Sequence, residues 1–337
     1  MKRYFYLIAA IAGLFMAASC QKENFEVADG DYAEVSFTAD LPGVATKAIA
    51  DGQKVNKLYY EVYAASDDEG TVAADARAVV DGTTEISAGK ATVNVRLVKN
   101  KKYTVFFWAQ YAEDGTGYTS PYTWTDLRNI TVSYDGAVAN DEKRDAFYAV
   151  EKAVSFSSAA TEKVTLTRPF AQVNFGTNTL ETAFGEFTID SNTMKISQLA
   201  TAFDTVNGHA YADSYKSDVT IKATAGGLVQ QETDDRKDLL IGDTGYYWVA
   251  MNYILVPSQD MATVKVDLTF NTSGGTLSHS IENVPIKKNY RTNIVGDLFT
   301  SSTHLQIVVD PNFKKPDING PDFDLPAEDD NNTTNNN

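Results

Sequence analysis

The 337-residue sequence predicts an all-β protein made of antiparallel β-sandwiches, and three observations carry this prediction. Apolar and polar residues alternate with a period of two in many short runs, which is typical of half-buried strands. These runs are rich in Val, Thr, Tyr and Phe, which suit a pleated, half-buried surface. Turn signals of the Asp-Gly and Gly-Gly type separate the runs. Helical patterns are short, and we expect helices only near residues 122–129 and 198–206.

The individual strands follow from this alternation, taken in chain order. Residues 34–41 place four apolar side chains on one face, namely Val35, Phe37, Ala39 and Leu41. Residues 102–109 are apolar on both faces toward their end, which is typical of a central strand. Further runs alternate in the same way and are predicted as strands with one face in a core. They cover residues 91–97, 264–270 and 305–309.

The chain is too long for one ordinary sandwich domain of about 100 residues. We predict an N-terminal domain of residues 34–168 and a C-terminal domain of residues 169–310. The break falls at Arg168-Pro169, because proline cannot donate a hydrogen bond to a strand ladder and favours an edge or crossing position. Residues 311–337 are rich in Pro, Asp and Asn, and we expect a flexible acidic tail there.

A signal for export precedes the predicted domains. Lys2 and Arg3 are followed by an uncharged run up to Ala18, and small residues stand before Cys20, the single cysteine of the chain. A basic start, an apolar run and small residues before a cut are typical of a signal peptide, and the cysteine makes it similar to a bacterial lipoprotein signal. We therefore predict a signal peptide of residues 1–19, lipidation of Cys20, and a lipid-anchored linker of residues 20–33 that holds the protein at the outer membrane.

Composition and motifs argue against several classes of function. The formal net charge of −16 disfavours nucleic acid as a partner. The three histidines, His209, His279 and His304, lack a metal-ligand spacing, and the sequence contains no GxSxG nucleophile motif. We predict no catalytic residue, no metal site and no cofactor, and a protein that is not an enzyme.

The tryptophans divide into core and surface candidates. Trp108 and Trp248 stand in apolar strand-like runs, so we expect them in a core. Trp124 lies in a loop-like, tyrosine-rich stretch with Tyr118 and Tyr122. Aromatic rings with a polar edge suit the binding of sugars. These three residues are the candidates for contact with a glycan or a host ligand.

A set of motifs stands in a fixed order along nearly the whole chain. It begins at Cys20 and continues with a first strand followed by Thr46-Lys47-Ala48. The later motifs are the runs 57–63, 103–109, 166–173, 201–208 and 288–296. In their order and spacing these motifs resemble those of the fimbrillin-like lipoproteins of Bacteroidota, which include subunits of the type V pilus.

The resemblance implies two tandem transthyretin-like antiparallel β-sandwich domains and a structural role in fimbriae that serve adhesion. In the pilus members a protease cuts after a basic residue and releases the first strand, and a strand of a neighbouring subunit takes its place. The matching bond here is Lys47-Ala48. The exchanged strand would present Val35, Phe37, Ala39 and Leu41 to the groove. The partners would be other fimbrial subunits or further copies of this chain.

The residues leave a second hypothesis open. A lipid-anchored surface protein that does not polymerise would bind a glycan or host ligand through the aromatic residues around Trp124. The two hypotheses share a cell-surface or fimbrial location. They differ in whether the first strand leaves its sheet.

Overall fold

The computed structural model describes residues 29–42, 52–112, 117–178, 189–211, 213–223, 237, 239–257, 261–299 and 305–310. That part of the chain contains twenty β-strands and two 3-10 helices, Asp29–Asp31 and Glu142–Arg144, and it contains no α-helix. The predicted all-β fold is confirmed. The helices expected near 122–129 and 198–206 are wrong, because both stretches enter short strands whose apolar side chains pack into the core.

Nine strands come from the first half of the chain and are numbered in chain order. They are β1 (Tyr32–Asp40), β2 (Lys57–Ala64), β3 (Val80–Glu85), β4 (Lys90–Val98), β5 (Tyr103–Gln110), β6 (Tyr122–Thr123), β7 (Asn129–Val132), β8 (Ala146–Val154) and β9 (Ala160–Thr165). Seven of them form two sheets in the orders β4-β1-β9 and β3-β2-β5-β8. These sheets enclose one apolar core that includes Phe37, Leu58, Val93 and Phe107.

Eleven strands come from the second half. They are β10 (Phe170–Thr177), β11 (Ile189–Ala200), β12 (Ala202–Asp204), β13 (His209–Ala210), β14 (Tyr215–Ala223), β15 (Leu239–Ile241), β16 (Thr244–Leu255), β17 (Met261–Thr272), β18 (Gly275–Lys287), β19 (Arg291–Gly296) and β20 (Leu305–Asp310). Nine of them form sheets in the orders β15-β16-β10-β19-β20 and β14-β11-β17-β18. A second core includes Val173, Ile196, Leu268 and Ile294.

A fifth sheet joins the two halves of the chain in the order β13-β12-β7-β6. Ala202 of β12 lies opposite Thr131 of β7 in an antiparallel register. Outside this sheet, the N–H of Asn140 donates to the carbonyl of Met251 at 2.8 Å. The predicted boundary at residues 168 and 169 falls between β9 and β10, yet main-chain pairing crosses it. The division into two separate domains therefore stays a prediction.

Strand β5 is buried on both faces, as its apolar run predicts. Phe107 and Ala109 point into the core of the first two sheets. Phe106 and Trp108 belong to the second core, where Trp108 is fully buried. The strand thus links both cores, and Trp108 and Trp248 occupy the interior positions expected of them.

Two pairings are parallel, although the sequence predicts antiparallel sheets. Strand β1 runs parallel to β9, and β10 runs parallel to β19. In each half, a strand that comes late in the sequence pairs with the first strand of that half. Such pairings connect residues far apart in sequence, so local alternation gives no signal of their direction.

The boundary motif holds a fully buried ion pair. Arg168 donates from Nε to Asp145 Oδ1 and from Nη2 to Asp145 Oδ2, at 2.8 Å in both cases. Both side chains are 1% exposed. The guanidinium also lies 4.3 Å from the centroid of the Phe147 ring. Removal of either partner would leave a buried charge without its counterpart.

Candidate functional site

The first candidate site is strand β1, which lies in the middle of its sheet. It pairs antiparallel with β4 along its full length, from Tyr32 opposite Val98 to Asp40 opposite Lys90. On the other side it pairs with β9 from Val35 opposite Ala160 to Asp40 opposite Thr165. Withdrawal of β1 would therefore expose the backbone groups of two strands at once.

The predicted inward face of β1 is buried. Val35, Phe37, Ala39 and Leu41 are between 0% and 6% exposed. Phe37 makes edge-to-face contacts with Phe107, at 5.6 Å between centroids, and with Phe156, at 6.1 Å. Such contacts add about 0.5–1.5 kcal/mol to the burial of a ring. These four side chains are the strand-exchange candidates, and they occupy the buried positions expected of them. The exchange itself stays a prediction.

The proposed cleavage bond, Lys47-Ala48, lies in the segment that follows β1 in the sequence. Residues 43–51 lie outside the described residues, so Lys47 and Ala48 do too, and the same holds for Cys20. The described chain resumes at Gly52, whose φ is +83°. A Cβ at Gly52 would lie 3.0 Å from Phe147 and 3.4 Å from Nη2 of Arg168. Only glycine suits this position, which fixes where the chain re-enters the fold after the first strand.

The second candidate site is a groove beside Trp124. The groove has a volume of about 340 Å³ and is lined by Thr123, Trp124, Thr125, Asp126, Asn129 and Thr131. The indole is half-buried and packs edge-to-face against Tyr59 at 5.0 Å between centroids. Trp124 thus has the partly exposed position that the sequence predicts for it.

The charge of Asp126 in this groove is compensated. Arg128 donates from Nε to Oδ1 of Asp126 at 3.0 Å and from Nη2 to Oδ2 at 2.9 Å. Burial would raise the pKa of Asp126, but the hydrogen bonds from Arg128 outweigh it and hold the pKa below its usual value. Arg128 Nη1 also donates to the carbonyl of Ala73 at 2.9 Å. The pair therefore fixes the position of the Asp126 carboxylate in the groove.

The structure does not bring the other two predicted ligand contacts to this groove. Tyr122 is 3% exposed and packs against Trp108 and Phe170, so the expectation of a surface contact there is wrong. Its hydroxyl donates to the carbonyl of Arg144, since a buried phenol needs a partner. Tyr118 is half-buried in a different cluster, where its ring lies 4.9 Å from that of Tyr111.

Sequence reasoning missed a larger cleft between the two halves. It has a volume of about 490 Å³, and residues of β8 and of the 205–208 turn line it together with Lys288. Lys288 Nζ donates to the hydroxyl of Tyr148 and to the carbonyl of Gly208, both at 2.8 Å. A single lysine between two strands carries no sequence signal of such a bridge. The contacts assign Lys288 a role in joining the halves.

The described residues offer neither a candidate metal site nor a candidate membrane-spanning helix. Among these residues, His, Cys, Asp and Glu nowhere form a group of three or more that could hold a metal ion. Within the same ranges, no helix is long and apolar enough to cross a membrane.

Each half of the chain contains two main sheets that contribute to an apolar core, and the first strand lies in the centre of its sheet. This arrangement defines an all-β sandwich protein. The chain belongs to DUF6562, a family of unknown function, whose model matches residues 28–335. Among curated proteins no relative matched.

Solved structures with a similar chain trace include three from Bacteroides and Parabacteroides species. One is a candidate cell adhesion protein from Bacteroides ovatus, with 15% identity and a TM-score of 0.46 over 82% of this chain and 96% of the other. One is a candidate polysaccharide-binding protein from Bacteroides thetaiotaomicron, with 15% identity and a TM-score of 0.48 over 83% and 96%. A third is a fimbrial assembly protein from Parabacteroides distasonis, with 14% identity and a TM-score of 0.42 over 83% and 95%.

Proposed function

We propose that this chain is a fimbrillin-like surface lipoprotein that serves as a structural subunit, anchor or tip component of fimbriae used in adhesion. Lipidation of Cys20 anchors the precursor in the outer membrane. Cleavage after Lys47 then frees β1, and a strand from another fimbrial subunit, or from a second copy of this chain, takes its place.

The central position of β1 carries this proposal. A strand that pairs on both sides and buries every second side chain leaves a continuous groove when it departs. The groove offers main-chain hydrogen bonds along two strands and apolar pockets at the positions of Val35, Phe37, Ala39 and Leu41. Strand addition uses these two elements, with the backbone supplying affinity and the pockets supplying register.

The C-terminal end of β1 coincides with the end of its hydrogen-bond ladder. The N–H of Leu41 donates to the carbonyl of Gly89 at 2.8 Å, and the N–H of Leu166 donates to the carbonyl of Asp40 at 3.1 Å. Pro42 follows directly and interrupts the ladder, because it lacks an N–H. The bond between Lys47 and Ala48 stands five residues after that break, so a cut there leaves the whole of β1 on the released side.

The test is a Lys47→Gln variant expressed in a host that assembles fimbriae of this type. We expect the variant to keep residues 20–47 attached and to stay monomeric, while the unaltered chain is shortened. Lys54→Gln is the matched control, because Lys54 is an exposed lysine in the described chain that follows Gly52. Processing of Lys47→Gln at the same rate as the control would contradict the proposed cut.

The second candidate function is that of a surface lipoprotein that binds a glycan or host ligand without polymerising. The half-exposed Trp124 beside an open polar groove is the observation that favours it. This function needs no cleavage at Lys47, so an uncleaved monomer would be compatible with it.

A further inference from the structure

We propose that the groove beside Trp124 is a subsite for one neutral sugar residue of a glycan. The inference gives the second candidate function a place and a ligand class. It does not depend on strand exchange, since no groove residue belongs to β1. An adhesive fimbrial subunit and a monomeric lipoprotein could both carry it.

The groove is built on the outward face of the sheet that joins the two halves. Thr123 of β6 lies opposite Thr131 of β7, and Asn129 begins β7. Thr123, Thr125, Asn129 and Thr131 are all exposed. Thr123, Asn129 and Thr131 therefore line the groove from paired strands, and Trp124, Thr125 and Asp126 line it from the connection between β6 and β7. A site on paired strands keeps its polar groups in fixed positions.

Several polar groups of the groove have no partner among the described residues. They are the indole N–H of Trp124, the amide nitrogen of Asn129 and the hydroxyls of Thr123, Thr125 and Thr131. The oxygen of the Asn129 amide is used, because it accepts a hydrogen bond from the hydroxyl of Tyr211. That bond orients the amide so that its NH₂ group is the free end. A groove with several hydrogen-bond donors and hydroxyls suits a ligand that itself carries many hydroxyls.

The charges of the groove argue for a neutral ligand. Its one carboxylate, on Asp126, is neutralised by Arg128 in a two-point ion pair. The remaining bonds of Arg128 run to the carbonyls of Ala73, Ala74 and Ala76, away from the lining residues. No other charged side chain lines the groove. An anionic sugar would also approach a chain whose net charge is −16.

The shape of the groove argues against a peptide. Strand β6, the outer strand of this sheet, has only two residues, which is too short for strand addition. Trp124 is the one large apolar side chain of the lining, so an amphipathic helix would find no row of pockets. The volume of about 340 Å³ stands near the lower end of the range for small-molecule sites, about 300–1,000 Å³. A single sugar ring fits these limits, with its C–H face against the indole and its hydroxyls on Thr and Asn.

The experiment measures binding of neutral tetrasaccharides of glucose, galactose and mannose to the purified chain, with tetragalacturonate as the acidic comparison. Isothermal titration gives the affinity and saturation-transfer NMR gives the protons in contact. We expect at least one neutral probe to bind. Trp124→Ala should weaken it at least tenfold, and Thr131→Val several-fold. Trp124→Ala also removes a packing contact with Tyr59. Thr131→Val keeps the β-branched shape of the strand residue, so it tests the groove without that change in packing.

Tyr215→Ala is the matched control, because this aromatic residue is 42% exposed on β14 and does not line the groove. The Tyr215→Ala variant should bind the neutral probe with the same affinity as the unaltered chain. Three results would overturn the inference: no neutral probe binds, tetragalacturonate binds more tightly than every neutral probe, or both groove variants bind as well as the control. None of these results bears on cleavage at Lys47, so the two proposals fail separately.

Discussion

At the scale of single residues, the Arg168–Asp145 pair is a charge contact that lies inside the fold. It combines two 2.8 Å hydrogen bonds with almost complete burial and a ring contact to Phe147. A pair of this kind is costly to bury, but the loss of one partner costs more. The pair stands where β9 leads into β10 and thus fixes the path of the chain between its halves.

We predict that Asp145→Asn lowers the free energy of unfolding by about 3–5 kcal/mol, because it leaves the guanidinium of Arg168 buried without a counter-charge. Urea unfolding followed by circular dichroism measures the change. Glu34→Gln is the matched control, since Glu34 pairs with Arg96 at 2.9 Å but both side chains are more than half exposed. Surface pairs contribute about 0–1 kcal/mol, so equal losses in the two variants would refute the role given to Asp145.

The ring of Phe37 allows a second prediction at this scale. Phe37→Ala should lower the free energy of unfolding by about 3–5 kcal/mol, because it empties a closed pocket between Phe107 and Phe156. Thr38→Ala, on the opposite face of β1, should cost about 1 kcal/mol or less. The same urea titration measures the free energy of unfolding of both variants. A loss for Phe37→Ala as small as that for Thr38→Ala would show that β1 is not anchored by this pocket.

At the scale of elements, the half-buried strands were predictable. In β1, β4 and β17 every second residue is buried, because one face meets a core and the other meets solvent. The position of β5 between two cores also followed from its uninterrupted apolar run. In each case the pattern that specifies the strand is local, and a reader of the sequence sees all of it.

Features that depend on long-range contacts were not predictable. Tyr122 stands in a polar, loop-like stretch, yet Trp108 and Phe170, distant in sequence, enclose its ring. The pairing of β7 with β12 joins residues about 70 positions apart. The sequence predicts a surface position for Trp124, but the groove beside it depends on Thr131 and Asn129 of the neighbouring strand. No local pattern carries these contacts, because tertiary packing decides them.

At the scale of the whole molecule, the buried tyrosines predict a fold that is sensitive to alkali. Burial raises the pKa of Tyr134 to about 12, although the N–H of Leu255 and the charge of Arg144 act in the opposite direction. Burial also raises the pKa of Tyr122 and of Tyr253 well above the usual value. In the unfolded chain these phenols ionise near pH 10, so the unfolded state gains stability above that pH while the folded state does not.

We therefore predict that the free energy of unfolding falls as the pH rises from about 10 to 12, by about 1.4 kcal/mol per pH unit for each such tyrosine. Urea midpoints measured between pH 8 and 11.5 test this. Tyr134→Phe should show a shallower decline, since it removes one ionising group. The account is contradicted if the midpoint is constant across this range, or if Tyr134→Phe declines as steeply as the unaltered chain.

Whether β1 leaves its sheet on the cell surface can be measured by intact-mass analysis of the protein isolated from its native surface. We predict a chain that begins at Ala48, together with ladders of associated subunits on an unboiled gel. A chain that begins at lipidated Cys20, with Lys47 intact and monomer as the one species present, would contradict release of the first strand.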